Sequence, residues 1–518
     1  MQLLENIKFL EEHSMKKSLS KAFAILMAIL MIATMLAACA DDADDAAPPA
    51  DDAENGETAA PPPADPVPEA APVEDLVDET IQFTILGIGG WVPSALPVEM
   101  SYMFVEHARE NYGYDVEFSF ADAPFEALFA RAATSFAAGS NEYNLVISDS
   151  QWLGAFAEPG WIVQLNDIID ENPNLQVDWW SNDAASSYQI YPPGSGIKWG
   201  MPQAADVLIM YVRGDLMTDP DERDAFYAQY GWELPTSAAH DEWADIDFVK
   251  FENIAEFFTR PDEDLYGASF QYSMVYDFFS MSFYPFLWSA GGEIWDYSTH
   301  TIEGVLNTDR NAEMLMLHRH FMQFQPPGAI NVDIGIQTDQ FNAGLTATAW
   351  QWAAMGAAMD GPPGADVWAV ILPGYRQEDG TVQRISSIGG QPWVINSNNT
   401  PEQMRVAIDF LNWWYTDEVQ LEYARRGGNP LGYSVLTSPG FEDIQIWFPA
   451  YIYMMQDGMS NDFWHEPSFA EMLHIQQEVW TAFAAGPDGS FEAARAAMDE
   501  VAERQQAVLD AQAPSRFG

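Results

Sequence analysis

Ile81-Gln82-Phe83-Thr84-Ile85-Leu86-Gly87-Ile88-Gly89-Gly90-Trp91 opens the folded part of the chain, and Leu145-Val146-Ile147-Ser148-Asp149-Ser150-Gln151-Trp152 closes its first unit. Ile81, Phe83 and Ile85 alternate with Gln82 and Thr84, the period of a half-buried strand. A helix is predicted near residues 97–111, followed by a second strand carrying Val116, Phe118 and Phe120. Asp122 is placed to cap the next helix, with Pro124 in its first turn and Gly139 beyond its end. Phe125, Leu128, Phe129, Ala132 and Phe136 recur at helical spacing and share one face. Leu145-Val146-Ile147 then reads as a short buried strand. The order βαβαβ implies an α/β fold with a mainly parallel sheet and right-handed crossovers. Ligands in such sheets sit beyond the carboxyl ends of the strands, where the loops at residues 87–91 and 148–152 both lie.

Working outward, residues 207–212 form an apolar strand, followed by a polar, insertion-like stretch at 218–264. A helical block covers about 273–290, and 368–372 reads as a strand. Thr400-Pro401-Glu402-Gln403 is a capping box with proline at the first helical position, opening a helix that carries Met404, Ala407, Ile408 and Leu411. The next helix ends at Gly427-Gly428. The chain shows no internal repeat.

A chain of 518 residues exceeds one ordinary core, and its 48% hydrophobic content is ample for a globular body. Lys and Arg total 21 against 78 Asp and Glu, a formal net charge of -57. Nucleic acid is excluded as a partner, because its binders replace counterions with Lys and Arg. Electrostatic adhesion to anionic lipid is excluded on the same ground. Beyond residue 40 the lysines are Lys198 and Lys250 alone. So dense a carboxylate surface repels itself unless ions screen it. A saline habitat and a merely acidic secreted protein both fit, and melting across a salt series separates them.

Cys39 is the single cysteine, so no intrachain disulfide or thiolate cluster exists. Lys16, Lys17 and Lys21 precede an uncharged apolar run from Ala22 to Ala38, the layout of a secretory signal. Residues 1–38 form that signal, with Met15 as the expected true start. From residue 39 to 80 the chain is largely Ala, Pro, Asp and Glu. Such a segment cannot bury enough surface to offset its ordering entropy, and it reads as an extended tether. No later segment is long and apolar enough to span a bilayer.

Leu36-Ala37-Ala38-Cys39 resembles the lipobox of bacterial lipoproteins, which implies lipidation of Cys39 and a membrane anchor through acyl chains alone. Further segments resemble the extracellular solute-binding proteins of carbohydrate ABC transporters, the group that includes maltose- and glycerol-phosphate-binding proteins. These are residues 145–152 with Glu158-Pro159-Gly160-Trp161, then Gly200-Met201-Pro202-Gln203-Ala204-Ala205-Asp206, and Phe286-Leu287-Trp288-Ser289-Ala290-Gly291-Gly292. Phe341-Asn342-Ala343-Gly344 with Trp350-Gln351-Trp352, Ile388-Gly389-Gly390 with Trp393, and Arg426-Gly427-Gly428-Asn429-Pro430 complete the set. The resemblance implies a two-lobed, periplasmic-binding-protein-like α/β fold with interlobe crossover strands and a ligand cleft. Lobe 1 takes 81–203 and 350–390, and lobe 2 takes 204–349 and 391–511. A monomer of this kind sits on the outer face of a bacterial cytoplasmic membrane, or the periplasmic side of an envelope membrane. It closes on its solute and docks on the transmembrane permease subunits.

A sugar presents hydroxyls and an apolar C–H face, so its pocket needs aromatic walls and a few placed polar groups. The resemblance places Asp206 as the sugar-contacting carboxylate. Ser148 and Asp149 stand at a strand's carboxyl end, where they serve a ligand or a turn. Trp350 and Trp352 flank Gln351 at the expected second crossing, and one strand face there lines the cleft or packs the core. Gly390 permits close backbone approach, with Gln391 beside it as a donor. Arg426 and Asn429 belong to the last motif, or else terminate a helix. Trp91 and Trp288 are further stacking candidates.

No Walker loop, dinucleotide fingerprint or calcium loop occurs, and no cofactor or metal is expected. His318 and His320 read as surface residues. Monosaccharide, oligosaccharide, polyol and glycerol-phosphate-like ligands all stay open, and Arg425 or Arg426 offers a site for one negative charge. A surface glycosidase using paired carboxylates and a sensory binding protein are the competing readings.

Overall fold

The alternation that begins at Ile81 sets the architecture of the first lobe in the computed structural model, which describes residues 80–517. The expected export signal, Cys39 and the expected tether lie outside the described residues. Ten strands occur among the described residues: β1 (Ile81–Ile88), β2 (Val116–Ala123), β3 (Leu145–Ile147), β4 (Met201–Arg213), β5 (Thr348–Trp352), β6 (Val367–Val370), β7 (Tyr375–Arg376), β8 (Val382–Gln383), β9 (Ser386–Ile395) and β10 (Ser460–Asn461). Odd-numbered side chains on β1 enter one core, where Phe83 and Ile85 meet Leu145, Ile147, Trp393 and Ile395. Even-numbered ones enter a second core on the opposite face, where Leu86 and Ile88 meet Val146 and Val394. Period two has thus buried both sides of one sheet.

The main sheet runs β2-β1-β3-β9-β4-β5, with β10 joined to β9 and β6 to β4. It is parallel across β2, β1 and β3. From β9 onward it departs from the expected mainly parallel pattern, because β9 is antiparallel to both β3 and β4, and β4 is antiparallel to β5 and β6. Two strands that cross between lobes in opposite senses impose that change.

Those two strands are β4 and β9. Met201 and Ala204 of β4 belong to the first lobe's core, while Ala205 and residues 207–212 belong to a third, larger core. On β9, Ile388 joins the larger core, and Trp393 and Ile395 join the first. The first crossing therefore falls near residue 204, and the second is β9, while the Trp350 strand packs in the larger core. Trp350, Met359 and Val370 all pack in the larger core, and Met404, Phe410 and Tyr423 pack with Phe83. Residues 350–388 pack in the larger core and 391–423 in the first lobe, while 424–511 pack mainly in the larger core, with Phe469 joining the first lobe's second core. β5 pairs along β4 after β4 has already crossed, which explains why its tryptophans stay on that side.

Local expectations differ in four places. Helix begins earlier than residue 97, at Val92, because Pro93 stands in the first turn, and it breaks at Met100 before Ser101–Asn111. Asp122 lies inside β2, which runs on to Ala123, and Pro124 precedes the Phe125–Ala137 helix without a side-chain cap. The stretch at 218–264 is no polar appendage: Phe226, Trp243, Phe248 and Phe251 anchor it in the larger core. His318 is fully buried, stacked on Tyr272 at 4.4 Å with Nε2 3.1 Å from Ser282 Oγ, and burial pushes its imidazole down to about 3. His320 instead stands at the surface on Glu252. The Thr400 capping box forms as expected.

Where the crossing strands meet, Gly390 has φ +93, and a Cβ there would lie 2.4 Å from Ala204 O and 2.7 Å from Asp206 N. Both obstacles are backbone, so neither can swing aside. Gly390→Ala should cost about 3 kcal/mol or more in denaturant unfolding. Gly364→Ala, at φ +86 but with open space around the added carbon, should cost only about 1 kcal/mol. Equal costs would show that crowding at the crossing is not what the glycine relieves.

Candidate functional site

The carboxyl ends of β1, β2 and β3 converge on a cavity of about 510 Å³. Its first wall is built by Gly89, Gly90 and Trp91 after β1, Phe125 and Glu126 after β2, and Asp149, Ser150 and Gln151 after β3. The crossing strands supply its floor, with Asp206 from β4 and residues 388–391 from β9. The opposite wall comes from the larger core: Asp277, Phe278 and Met281 at the Phe278–Ser289 helix, Asp333 and Ile334 at the Ile334–Asn342 helix, Trp352 at the end of β5, and Asp462 after β10.

Few groups hold the two walls together, and they are specific. Gln151 Nε2 donates to Asp277 Oδ2 at 3.1 Å. Tyr276, at the unusual φ of +49, sends its hydroxyl to accept from Trp152 Nε1 at 2.6 Å and to donate to Asp149 Oδ2 at 3.4 Å. Its ring lies edge-on to Phe125 at 4.8 Å. Tyr276 therefore packs against cores of both lobes.

The cavity is electrostatically unusual. Asp149, Asp206, Asp277 and Asp462 are all at least nine-tenths buried. Burial pushes Asp206 up to about 7, although Val207 N and Ala354 N both donate to its Oδ1. Asp277 also rises to about 7 through burial, against the Gln151 hydrogen bond. Asp149 stands well above the usual carboxylate range because of burial first, then the nearby Asp277 and Asp462. Tyr188 ties the floor together, its hydroxyl donating to Gly389 O at 2.6 Å and accepting from Asp206 N at 3.1 Å. Gly389 leaves room for an indole, since a Cβ there would come within 2.5 Å of the Trp352 ring. Among the described residues, no group of three or more His, Cys, Asp or Glu is arranged to hold a metal ion.

Of the residues singled out in the sequence, Trp91, Asp149, Asp206, Trp352, Gly390 and Gln391 border this cavity. Six do not. Ser148 is sealed in the sheet end, its N–H donating to Pro392 O. Trp350 is enclosed by aromatic rings, stacked on Phe286 at 5.0 Å. Gln351 lies in a buried amide network, accepting from Gln271 Nε2 at 3.1 Å and donating to Thr338 Oγ1. Trp288 packs on Tyr284 at 4.7 Å within the larger core. Asn429 Oδ1 accepts from Trp447 Nε1 at 2.9 Å, and its carbonyl accepts from Ala205 N. Arg426 ends the Asp417–Arg425 helix on Glu422 at 2.8 Å, so the helix-terminus reading describes its surroundings. Arg425 also turns to Glu422, and neither arginine reaches the cavity. Gly390 spends its freedom on the approach of β4, not on open space.

Asp277, Asp462 and Gln151 border the cavity unforeseen. Gln151 was inside the quoted motif. Asp277 carried one readable signal: an acid directly ahead of the uncharged run Phe278–Ser289, whose side chains are all buried.

The family model for bacterial extracellular solute-binding proteins matches residues 97–421, more than half of the chain. Among solved structures, an ABC transporter solute-binding protein from Agrobacterium radiobacter K84 in complex with ribitol is 20% identical, with a TM-score of 0.65 over 84% of this chain and 99% of that one. Maltose-bound MalE3 of T. maritima is 17% identical, with a TM-score of 0.64 over 83% and 100%. A solute-binding protein from Thermotoga lettingae TMO bound with α-D-tagatose is 16% identical, with a TM-score of 0.62 over 82% and 99%. These likenesses fix the two-lobed fold. With the family match over its lobes and crossing strands, the chain belongs to the bacterial extracellular solute-binding proteins.

Proposed function

We propose that this protein is the capture component of an ABC importer for a sugar or related polyol, closing its lobes about β4 and β9 and delivering the solute to a membrane permease. The observation that carries the reading is the cavity's composition. Trp91, Phe125 and Trp352 offer apolar faces for sugar C–H groups, and buried carboxylates between them accept hydroxyl hydrogens. Ribitol, maltose and tagatose in proteins of the same fold support the ligand class. A hydrolytic role falls away with membership of a binding family. The family places the protein outside the cytoplasm, and among the described residues no helix is long and apolar enough to cross a membrane. Anchoring through lipidated Cys39 completes the reading.

A thermal-shift screen with sugars and polyols should raise the melting temperature by mass action. Trp352→Ala should then weaken the responding ligand about tenfold or more, while Arg426→Ala, outside the cavity, should leave affinity unaltered. A screen without any response, or equal losses in both variants, would count against the cavity.

The raised carboxyls carry a pH signature. Asp206 and Asp277 sit near 7 when folded, against 3.8 ordinarily. Between those values the folded state holds protons that the unfolded state has lost. Their stabilising contribution is therefore complete below about pH 3.8 and is lost as pH rises through 7. Asp206→Asn and Asp277→Asn should each flatten the fall in stability between pH 5 and 7.5, by up to a few kcal/mol. An unchanged slope in both variants would show that these groups titrate normally.

Lipidation is checked by fractionation in a bacterial host. Wild type should require detergent for release from membranes, and Cys39→Ser should appear in the aqueous fraction. Detergent-free release of the wild type would refute the anchor.

A further inference from the structure

The buried carboxylates that have an arginine partner lie away from the cavity. Seven Asp and Glu are buried among the described residues: Asp149, Asp206, Asp247, Asp277, Asp409, Asp462 and Glu466. Asp247 is paired with Arg376 at 2.5 Å, and Asp409 has Arg405 one helical turn away at 3.7 Å. Glu466 is met by the Gln512 amide, away from the cavity. The other four border the cavity, and no lining residue is Lys or Arg. Of these, only Asp462 has a basic partner, His465 at 3.2 Å. An acid-rich composition explains carboxylates at the surface. It does not explain four of them held out of water around one space, where burial without a counter-charge is expensive.

A second observation concerns neutral groups. Gln151 Oε1 and Gln391 Oε1 are buried acceptors without a hydrogen-bond partner, on side chains at least nine-tenths buried that line the cavity. Gln151 holds Asp277 with its amide nitrogen, and its amide oxygen has no partner. Asp149, Asp277 and Asp462 act on one another electrostatically, so they share one region of the wall. Around that region the wall presents acceptors and buried carboxyls that a bound cation would hold ionised. Such a wall is satisfied by a group with several N–H donors and a positive charge, not by hydroxyls alone. A bound metal ion would also neutralise it, but the acids do not form a metal-holding group.

We propose that the solute is a carbohydrate bearing a protonated amine, whose ammonium is held among Asp149, Asp277 and Asp462 with the Gln151 amide oxygen, while the aromatic walls take its C–H faces. The inference rests on the carbohydrate reading above and narrows it. It also fits an acid-rich protein in which a ligand carrying carboxylate or phosphate would meet repulsion at the cavity.

The test is calorimetric titration of the intact protein with matched sets that differ only in charge: glucosamine, N-acetylglucosamine and glucose, then the corresponding β-1,4-linked disaccharides. Putrescine serves as an amine without a sugar. The amine-bearing sugar should bind at least about tenfold tighter than both neutral partners in the set that fits the cavity. In Asp277→Asn that preference ratio should fall several-fold, a readout that a merely structural role for Asp277 would not move. Neutral sugars binding as tightly as their amines would overturn the ammonium site and leave the carbohydrate reading standing. Putrescine binding alone, or no binding by any member, would overturn both.

Discussion

Every feature of the cleft takes its position from the antiparallel pairing of β4 with β9. Asp206 faces Gly389 and Ala205 faces Gly390 in that ladder, so the floor of the cavity is also the ladder along which the chain passes between the lobes' cores. The register shifts between Pro202 and Ala204, and an irregularity of this kind re-aims the strand that carries it. There Gln203 turns aside to Pro93 O and Tyr423 Oη. Tyr188 then spans the ladder from Asp206 N to Gly389 O. These contacts fix where a carboxylate, a glycine pair and the Trp352 indole meet.

This constraint explains why the larger core is so aromatic. Residues that pair with β4 beyond the crossing must bury a long strand on both faces, and helix Phe278–Ser289 answers with side chains that are all buried. Gln271, Gln337 and Gln351 are held there as a linked set, because an unpaired buried amide costs roughly 1–3 kcal/mol. The same rule makes the free oxygens of Gln151 and Gln391 informative. Open acceptors also occur far from the cavity, at Gln203, Asn311, Gln477 and Gln505, but Gln151 and Gln391 are the two on side chains that line it.

The sequence disclosed elements better than their allegiance. Period two at Ile81, Phe83 and Ile85, the Thr400 box and the glycines at 427–428 are local signals, and local physics decides them. Which lobe a segment joins is a long-range matter, and nothing in Trp350-Gln351-Trp352 states that β4 has already crossed before β5 pairs with it. Tryptophan suits a sugar's face and a hydrophobic core equally, so sequence alone does not separate Trp288 and Trp350, which pack in the core, from Trp91 and Trp352, which border the cavity. Asp277 and Asp462 stayed hidden for a different reason. Among 78 acids, burial is the distinguishing property, and burial is not a property of sequence spacing.

Tyr276 shows how closure is kept within reach of a ligand's binding energy. A tyrosine at φ +49 stores strain of roughly 1–3 kcal/mol. It is offset by the Trp152 hydrogen bond and the edge contact with Phe125, each worth about 1 kcal/mol. Those terms nearly cancel at Tyr276, which leaves the Gln151–Asp277 hydrogen bond as the main favourable contact between the walls. An interlobe surface of strongly favourable contacts would close without regard to the cavity's contents. A weakly favourable one would leave the decision to whatever fills the cavity, because a ligand shifts such an equilibrium only by its differential affinity for the two states.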